Sequence, residues 1–348
     1  MAIKDIPFWM AEPTKAPLKL RINRVPFSDR RLYLEGIKGL CVSIDDKYAR
    51  NLPSIHQNAL FVFQMIDSIK GTYFIAPNMA LLHKTNFLSQ IAANVGLRPK
   101  FTIFEGSRLS ADATELLMAY GSIYVKNDCG MGGDSVYRVS KSEGVFSVQY
   151  PSGQSMAFSD VSRFILPHGI YIAEVEIPIA KTKDKETWEV RLIPPFGDKW
   201  SYGKIGKLGS HLNNGNRGAG IFTPEETLSG VVDEENARSF LSLASAASLE
   251  ILKLTNSTLL AIAQQVILPD DLKYPDRYPQ IMSDCFSSNF LVVDLTGYLD
   301  ANGRLMPAIV EAQTHGGLLH EHEEVAYRES GRLIVAKITL LQDSLKDI

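Results

Sequence analysis

The stretch YVKNDCGMGGDSVYRV, residues 124–139, places three glycines within four positions, between two segments that alternate like strands. Lys126 precedes these glycines. A Walker loop ends in Gly-Lys-Ser/Thr, and a dinucleotide-binding turn requires a glycine where Ser135 stands; both open a helix. The alternation of SVYRV predicts a strand instead. The stretch therefore predicts a strand–turn–strand hairpin, either a plain one or one whose backbone N–H groups approach an anion beside Lys126.

Composition and charge are those of an ordinary globular chain. Of the 348 residues, 45% are hydrophobic and 22% charged, which is typical of globular proteins and sufficient for two or three packed units. The formal net charge of −3 gives no general attraction for nucleic acid or an anionic membrane. We therefore expect neither as a partner, and an anionic ligand must be held locally.

Cysteine usage and the N-terminus indicate a reducing compartment. The three cysteines lack a CxxC pair, which argues against a disulfide framework and a structural zinc site. The first residues lack a basic region followed by an apolar stretch, and no apolar run approaches the roughly 18 residues of a membrane span. The expected location is the cytoplasm.

Helix-like and strand-like segments follow one another along the chain. Apolar spacing predicts helices in MALLHKTNFLSQIAANV, ELLMAYG and DEENARSFLSLASAASLEILKL. Alternation predicts strands in KFTIF, SIYVKN, SVYRVS, GIYIAEVEIPIA and ETWEVRLIPP. The Gly/Asn-rich segment SHLNNGNRGAGIFTPEE is predicted to be a loop. A proline-rich insertion at residues 268–279 precedes a final hairpin, NFLVVDLTGYLDANGRLMPAIVEAQ.

That last hairpin is predicted to bring two acids together. Asn302-Gly303 is a strong two-residue turn signal, and a turn there places Asp294 directly opposite Glu311, with Gln313 two residues further on the same face. Facing carboxylates repel each other unless a cation lies between them, and Mg²⁺ prefers hard oxygen ligands. The alternative is a solvated acidic edge hairpin. Pro307 indicates an edge strand or a bulge, which could shift this register.

Other polar residues have simpler interpretations. The histidines and acids at residues 320–324 suggest a metal cluster, but His-x-His spacing splits two rings across a helix surface, which favours a solvated helix start. His315 lies two residues after Gln313 on the same strand face, so it is a candidate substrate contact. Cys129 is interpreted as a small turn residue.

With these motifs in this order, residues 80–318 resemble the ATP-grasp superfamily. HKTNFLSQIAANVGLRP is similar to the family's opening segment, whose lysine contacts nucleotide phosphate. YVKNDCGMGGDSV is similar to its second lysine and its phosphate-covering glycine loop, and IAEVEI is similar to the hinge that holds adenine. The resemblance implies these nucleotide contacts: Lys84, Lys126, Gly130, Gly132, Gly133, Glu174, Val175, Ile177, Glu189 and Asn214.

The resemblance also implies catalytic and metal-binding residues. Arg191 and Arg217 resemble residues that face the transferred phosphate and the acceptor, and we group His315 with them. The implied metal ligands are Asp294, Glu311 and Gln313. The chain departs from the family pattern at Ser135, where a glycine is common, and in a Glu-Ala-Gln metal motif. Glutamine still offers a carbonyl oxygen to a hard cation.

The fold that the resemblance implies is of the mixed α+β / α/β class, an ATP-grasp fold in which two subdomains enclose the nucleotide. The implied units are an N-terminal α/β unit at 1–80, a small lid subdomain at 81–178 and a large subdomain with the metal site at 179–348. Substrate selection or dimerisation could reside in residues 1–80 and 268–279, so a homodimer is left open.

The activity that the resemblance implies is ATP-dependent carboxylate–amine (or thiol) ligation, with ATP and Mg²⁺ or Mn²⁺ as cofactors. A small-molecule carboxylate and an amine, such as an amino acid or a peptide, would be joined through an acyl phosphate, with release of ADP and phosphate. Two alternatives stay open. One is a kinase of the same fold that phosphorylates a small molecule, and the other is a nucleotide-binding regulatory protein without turnover.

Overall fold

The computed structural model describes residues 7–11, 95–127, 135–194, 201–206, 219–266, 268–285, 291–313, 340 and 343–344. Most of the expected N-terminal unit, most of the first expected helix and the glycine turn itself lie outside the described residues. The described chain forms two antiparallel sheets with helices packed against them. The expected mixed class of fold is therefore confirmed.

The first sheet has six strands and contains the hairpin expected around the glycines. Its strands are β1 (Phe101–Gly106), β2 (Ser122–Asn127), β3 (Val136–Ser142), β4 (Val145–Gln149), β5 (Ser155–Phe158) and β6 (Gly169–Val175). They lie in the order β1-β6-β2-β3-β4-β5, and each neighbouring pair is antiparallel. Lys126 on β2 pairs with Val136 on β3, so the antiparallel pairing predicted for the two strands that flank the glycines is confirmed.

Helix α1 (Ala111–Tyr120) connects β1 to β2 and is fixed at both ends. At its start, Ser110 Oγ accepts a hydrogen bond of 3.1 Å from the backbone N–H of Ala113, as an N-cap serine does. At its end, Gly121 has φ 78°, a left-handed conformation that favours glycine. These caps set where the helix ends and where β2 begins.

One face of the first sheet packs on α1, and the other carries both charged and apolar side chains. Leu117 of α1 packs in one core cluster with Ile123 and Val125 of β2. Successive strand residues point to opposite faces, so Tyr124 and Lys126 lie on the face away from α1. The face of this sheet away from α1 is therefore the one that carries the predicted phosphate-binding lysine.

The second sheet has five strands in the order β11-β10-β7-β8-β9, again all antiparallel. They are β7 (Trp188–Leu192), β8 (Tyr202–Ile205), β9 (Gly220–Phe222), β10 (Val292–Leu299) and β11 (Leu305–Gln313). The other described α-helices are α2 (Pro224–Ser229), α3 (Glu234–Val266) and α4 (Tyr278–Cys285). Short 3-10 helices lie at Val161–Arg163, Pro269–Asp271 and Pro275–Arg277.

The long helix α3 packs on the apolar face of this second sheet. Trp188 and Val190 of β7 share a core cluster with Phe240 and Ile251 of α3, and the rings of Trp188 and Phe240 meet edge to face with centroids 5.6 Å apart. In the part of the chain that is described, no helix is both long and apolar enough to cross a membrane.

The final hairpin forms as predicted, but its turn is wider. Leu299 pairs with Leu305, so the connection is longer than the two residues predicted at Asn302-Gly303. Asp300 Oδ1 accepts hydrogen bonds from the backbone N–H groups of Asn302 at 2.8 Å and Arg304 at 2.9 Å. This side chain supplies the local hydrogen bonds that hold the wider loop.

A β-bulge then restores the predicted pairing of the two acids. The register shifts between Asp294, which faces Glu311, and Leu295, which faces Ile309, so Val310 is the extra residue of the bulge. The predicted Asp294–Glu311 pair is thus confirmed. Within the described part of the chain, β11 is an edge strand with a bulge, as Pro307 indicated.

Two other predictions need correction, and three strands were not predicted. The strand expected at residues 169–180 ends at Val175. The loop expected at residues 210–226 contains β9 and the start of α2, because Thr223 and Glu226 form a capping box and Pro224 stands at the first helical position. The pattern did not predict β4, β5 or β8.

A third core cluster lies where the two sheets meet. Trp9 and Met10, from the described N-terminal segment, pack with Val175 and Ile177 at the end of β6 and with Tyr298 of β10. The rings of Trp9 and Tyr298 meet edge to face at 4.9 Å. This cluster connects the end of the first sheet to the hairpin that carries the two acids.

Candidate functional site

A row of polar side chains crosses the second sheet on the face away from α3. Tyr202 on β8 pairs with Arg191 on β7, Arg191 pairs with Asp294 on β10, and Asp294 pairs with Glu311 on β11. Residues directly opposite each other in antiparallel strands share one face of the sheet. The fold therefore brings together three predicted site residues, Arg191, Asp294 and Glu311.

Arg191 and Asp294 form a buried, bidentate ion pair. Arg191 Nε and Nη2 donate to the two carboxylate oxygens of Asp294, each at 2.6 Å, and Nη1 donates to the Tyr202 hydroxyl at 3.0 Å. Arg191 is 8% and Asp294 4% exposed. Burial alone would raise the pKa of Asp294, but the charges of Arg191, Lys204 and Lys126 outweigh burial and lower it. Asp294 is therefore held ionised.

This ion pair changes the argument for a metal. The repulsion between Asp294 and Glu311 is reduced by Arg191, so neutralising Asp294 does not by itself require a metal ion. Among the described residues, no group of three or more His, Cys, Asp or Glu side chains is placed to hold one. The alternative of a solvated acidic edge does not hold for Asp294, which is buried. The assignment of Asp294 and Glu311 as metal ligands stays a prediction.

A second buried pair, Glu189 with Lys204, lies on the same face. Lys204 Nζ donates to Glu189 Oε1, and both residues are 8% exposed. Burial raises the pKa of the Glu189 carboxyl, and the charges of Lys204 and Arg191 offset only part of that rise. Burial lowers the pKa of Lys204, but Glu189 and Asp294 outweigh it and raise the pKa. Lys204 is therefore a further cation of this face.

The sequence analysis did not identify Lys204. Its only local signal is the alternation of Tyr202 and Lys204 in the four-residue strand β8. That alternation does not predict the partner of Lys204, which follows only from the pairing of β8 with β7 that sets Lys204 opposite Glu189.

From the first sheet, Lys126 reaches across to the second. Its Nζ donates to the carbonyl oxygen of Val310, the bulge residue of β11, at 3.4 Å. It also pairs with Glu174 Oε1, while Arg98 Nη2 donates to Glu174 Oε2 at 3.0 Å. Glu174 is 3% exposed and lies between two cations. Its predicted contact to adenine stays a prediction, as does the contact of Lys126 to phosphate.

Arg98 is a second residue that the sequence did not identify. It directly precedes a proline at the entrance to β1, at the end of the segment HKTNFLSQIAANVGLRP, in which only Lys84 was assigned a role. Its partner Glu174 is 76 positions away, and only the pairing of β1 with β6, which sets Phe101 opposite Glu174, explains their approach.

The predicted hinge is packed and hydrogen-bonded. Val175 and Ile177 are both buried. The Val175 N–H donates to the carbonyl of Lys100, and the Ile177 carbonyl accepts from the N–H of Ile179, each at 2.8 Å. Between them in sequence, Glu176 accepts hydrogen bonds of 3.0 Å at both carboxylate oxygens from Arg138 Nε. The predicted backbone contacts to adenine stay predictions.

The remaining predicted site residues lie outside the described residues. They are Lys84, Gly130, Gly132, Gly133, Asn214, Arg217 and His315. The backbone of Gln313 pairs with Val292 at the end of β11, but its side chain is outside the described part. Their roles stay predictions.

The chain is similar in structure to several solved ligases and synthetases. A D-alanine–D-alanine ligase from Bacillus anthracis is 13% identical with a TM-score of 0.37, over 75% of this chain and 68% of that chain. D-alanyl-alanine synthetase A from Vibrio cholerae is 12% identical with a TM-score of 0.40, over 80% and 72% of the two chains. An ADP complex of N5-carboxyaminoimidazole ribonucleotide synthetase is 11% identical with a TM-score of 0.38, over 72% of this chain and 50% of that chain.

No protein-family model matches the chain, and no curated protein matches it. The chain spans half the length of the matched ribonucleotide synthetase.

Proposed function

We propose that the chain is an ATP-dependent ligase that joins a small-molecule carboxylate to an amine or a thiol through an acyl phosphate. One observation carries this proposal. The polar face of the second sheet, with Arg191, Lys204, Glu189 and Asp294 all buried, meets Lys126 from the first sheet. A site with charged groups from two sheets is what a ligase needs to enclose a nucleotide beside a second substrate.

The energetics of burial favour a ligand site over a packing role. Each buried ion loses hydration worth several kcal/mol, and an apolar replacement for a buried pair is often as stable or more stable. β7 carries Glu189 and Arg191 on this face, whereas its opposite face packs against α3 with the apolar residues Trp188 and Val190. Buried ionisable groups with shifted pKa values concentrate at functional sites. The polar face is therefore better explained by ligand binding.

The arrangement suits transfer of a phosphoryl group, which needs positioning and charge neutralisation more than covalent chemistry. Lys126 supplies a buried ammonium at the junction of the sheets, and Arg191 supplies a guanidinium held flat against Asp294. We assign Lys126 to the phosphates of ATP and Arg191 to the acyl phosphate. Each cation now binds a carboxylate, so a ligand oxygen would compete with that carboxylate.

The donor set is compatible with Mg²⁺. Asp294 and Glu311 offer hard oxygen ligands from adjacent strands in register, and these two residues would hold the ion. When bound, Mg²⁺ neutralises phosphate charge during phosphoryl transfer. The chain's own contribution is to keep Asp294 ionised through Arg191 and Lys204.

Product analysis tests the proposal. With ATP, Mg²⁺ and a screen of amino acids and small peptides, we expect ADP and phosphate to form only when both an acid and an amine are present, together with a product of the coupled mass. Hydroxylamine in place of the amine should trap the activated acid as a hydroxamate. AMP with pyrophosphate would contradict the acyl-phosphate route. A stable phosphorylated product would favour the kinase, and tight ATP binding without turnover would favour the regulatory protein.

Substitutions test the site. Lys126→Met and Glu311→Gln should each lower turnover at least about 100-fold, because each removes a charge that neutralises phosphate or holds the metal. Lys253→Met and Glu250→Gln are matched controls, because this pair on α3 has side chains 75% and 51% exposed. The controls should retain wild-type turnover, and circular dichroism should be unchanged throughout. Wild-type turnover in Lys126→Met would exclude its assigned role.

A further inference from the structure

Arg98, Glu174 and Lys126 form a buried cluster of three charges. The side chains of Arg98 and Glu174 are both 4% exposed, and that of Lys126 is 10% exposed. Glu174 holds a different cation on each carboxylate oxygen, Lys126 on Oε1 and Arg98 on Oε2. Two cations share one anion, so the cluster carries a net positive charge.

Arg98 fits poorly into a purely structural role. Among the described residues, its guanidinium makes one hydrogen bond, to Glu174, and lies 5.1 Å from the ring centroid of Phe101. Among the buried side-chain nitrogens and oxygens of the described residues, Arg98 Nε is the one without a hydrogen-bond partner. A buried donor left unsatisfied is destabilising. A methionine would fill similar space without this cost.

The second cation matters when Lys126 binds a ligand. If Lys126 alone paired with Glu174, turning its ammonium towards an anion would leave a carboxylate that is 3% exposed without a counterion. An uncompensated buried charge is strongly unfavourable. With Arg98 present, Glu174 keeps a charge-assisted hydrogen bond while Lys126 moves.

We propose that Arg98 is a positioning residue for the phosphate-binding lysine. It holds Glu174, so that Lys126 can exchange the carboxylate for an oxygen of a polyphosphate. This inference rests on the proposed function, because it takes the ligand of Lys126 to be the polyphosphate of a nucleotide. Arg98 itself does not contact the ligand.

Binding of inorganic tripolyphosphate, measured by calorimetry in the presence of a chelator, isolates this subsite from adenine and from metal. Arg98→Met should bind tripolyphosphate at least about tenfold more weakly, a loss of about 1.4 kcal/mol. Arg98→Lys, which keeps the charge, should stay within about threefold of wild type. Arg98→Gln can hydrogen-bond to Glu174 without charge and should weaken binding as Arg98→Met does. It serves as the second test if the methionine variant does not fold.

The decisive variant is Arg98→Met/Glu174→Gln. Removing the carboxylate removes the competitor for Lys126, so binding should return to within about threefold of wild type. Arg138→Met is the matched control, since it breaks another Arg–Glu pair from the same sheet with the same change in net charge. It should alter tripolyphosphate binding less than about twofold.

The outcomes separate this inference from the proposed function. Wild-type affinity in a folded Arg98→Met or Arg98→Gln would overturn the role of Arg98 and leave the proposed function standing. Weak binding that Glu174→Gln does not restore would also overturn it, because the effect would not then pass through Glu174. A wild-type chain that binds neither tripolyphosphate nor ATP would overturn the proposed function, and this inference with it.

Discussion

Asp294→Asn should lower the free energy of unfolding by about 3–5 kcal/mol, the usual effect of breaking a buried ion pair. Asparagine has nearly the shape of aspartate, so the substitution removes a charge without opening a cavity. Arg191, 8% exposed, would then keep its positive charge against a neutral amide. Of the two hydrogen bonds of 2.6 Å, the one to the amide oxygen would lose the charge assistance that shortens and strengthens it. The other would be lost, because the amide NH2 group donates and does not accept.

The matched control is the pair Arg138 and Glu176. It too joins an arginine to a carboxylate, but the side chains are 36% and 26% exposed. Solvent screens such a pair, so Glu176→Gln should lower the free energy of unfolding by no more than about 1 kcal/mol. The difference between the two variants measures burial rather than residue type.

Urea denaturation followed by tryptophan fluorescence gives both values. Arg191→Met/Asp294→Asn should recover part of the lost stability, because neither ion remains, with a coupling energy of at least about 2 kcal/mol in the double-mutant cycle. If Asp294→Asn were no more destabilising than Glu176→Gln, the pair would not be desolvated as the structure has it. The energetic argument for a ligand site on this face would then fail.

Acid provides an independent check on Asp294. Its pKa in the folded chain is lowered from the ordinary 3.8. The ionised Asp294 carboxylate therefore contributes its full stabilisation above pH 3.8. That stabilisation is lost as the pH falls through the lower pKa of the folded state. Wild type should lose more stability than Asp294→Asn on acidification below about pH 4. Parallel acid curves would contradict the lowered pKa.

Three further predictions concern the fold. Gly203→Ala should lower stability by about 1–3 kcal/mol, because its Cβ would lie 1.9 Å from Thr227 Oγ1; Gly230→Ala, whose nearest contact is 3.4 Å, should have little effect, and equal denaturation midpoints would contradict this. Burial raises the pKa of Tyr171 to about 12, so the protonated tyrosine stabilises the fold fully below about pH 10. This stabilisation is lost as the pH rises towards 12, at up to about 1.4 kcal/mol per pH unit. Tyr171→Phe should therefore lose less stability than wild type between about pH 10 and pH 12. Ser110→Ala should lower stability by about 1 kcal/mol through the lost N-cap, and an unchanged midpoint would count against that cap.

The pairing of Asp294 with Glu311 was predicted correctly, although the two-residue turn from which it was inferred does not form. The wider loop held by Asp300 moves the register by one residue, and the bulge at Val310 moves it back. Pro307 indicated an edge strand or a bulge, but the sequence did not predict that the bulge lies at Val310. The bulge also has a consequence that the pattern could not show, because the carbonyl of Val310 accepts a hydrogen bond from Lys126.

Local pattern explains which residues were found and which were missed. Lys126 stands beside a glycine turn and Asp294 in a clear hairpin, so each has a signal within a few positions. Arg98 and Lys204 have none, since their meaning depends on the pairing of β1 with β6 and of β7 with β8. Such long-range pairings are set by the packing of the whole sheet rather than by local propensity.

The strand WEVRL shows why the sequence can predict which charged residues belong to the site but not which residues they pair with. Its alternation predicts one buried face and one solvated face, yet Glu189 and Arg191 are each 8% exposed. Each meets its counterion on a neighbouring strand, Arg191 with Asp294 at a separation of 103 positions. A ligand anion that enters here must therefore displace a carboxylate from a cation. The same ion pairs also stabilise the fold, so substitutions of the carboxylates can separate ligand binding from folding. Removing a carboxylate should lower the free energy of unfolding and raise the affinity of the freed cation for a ligand anion.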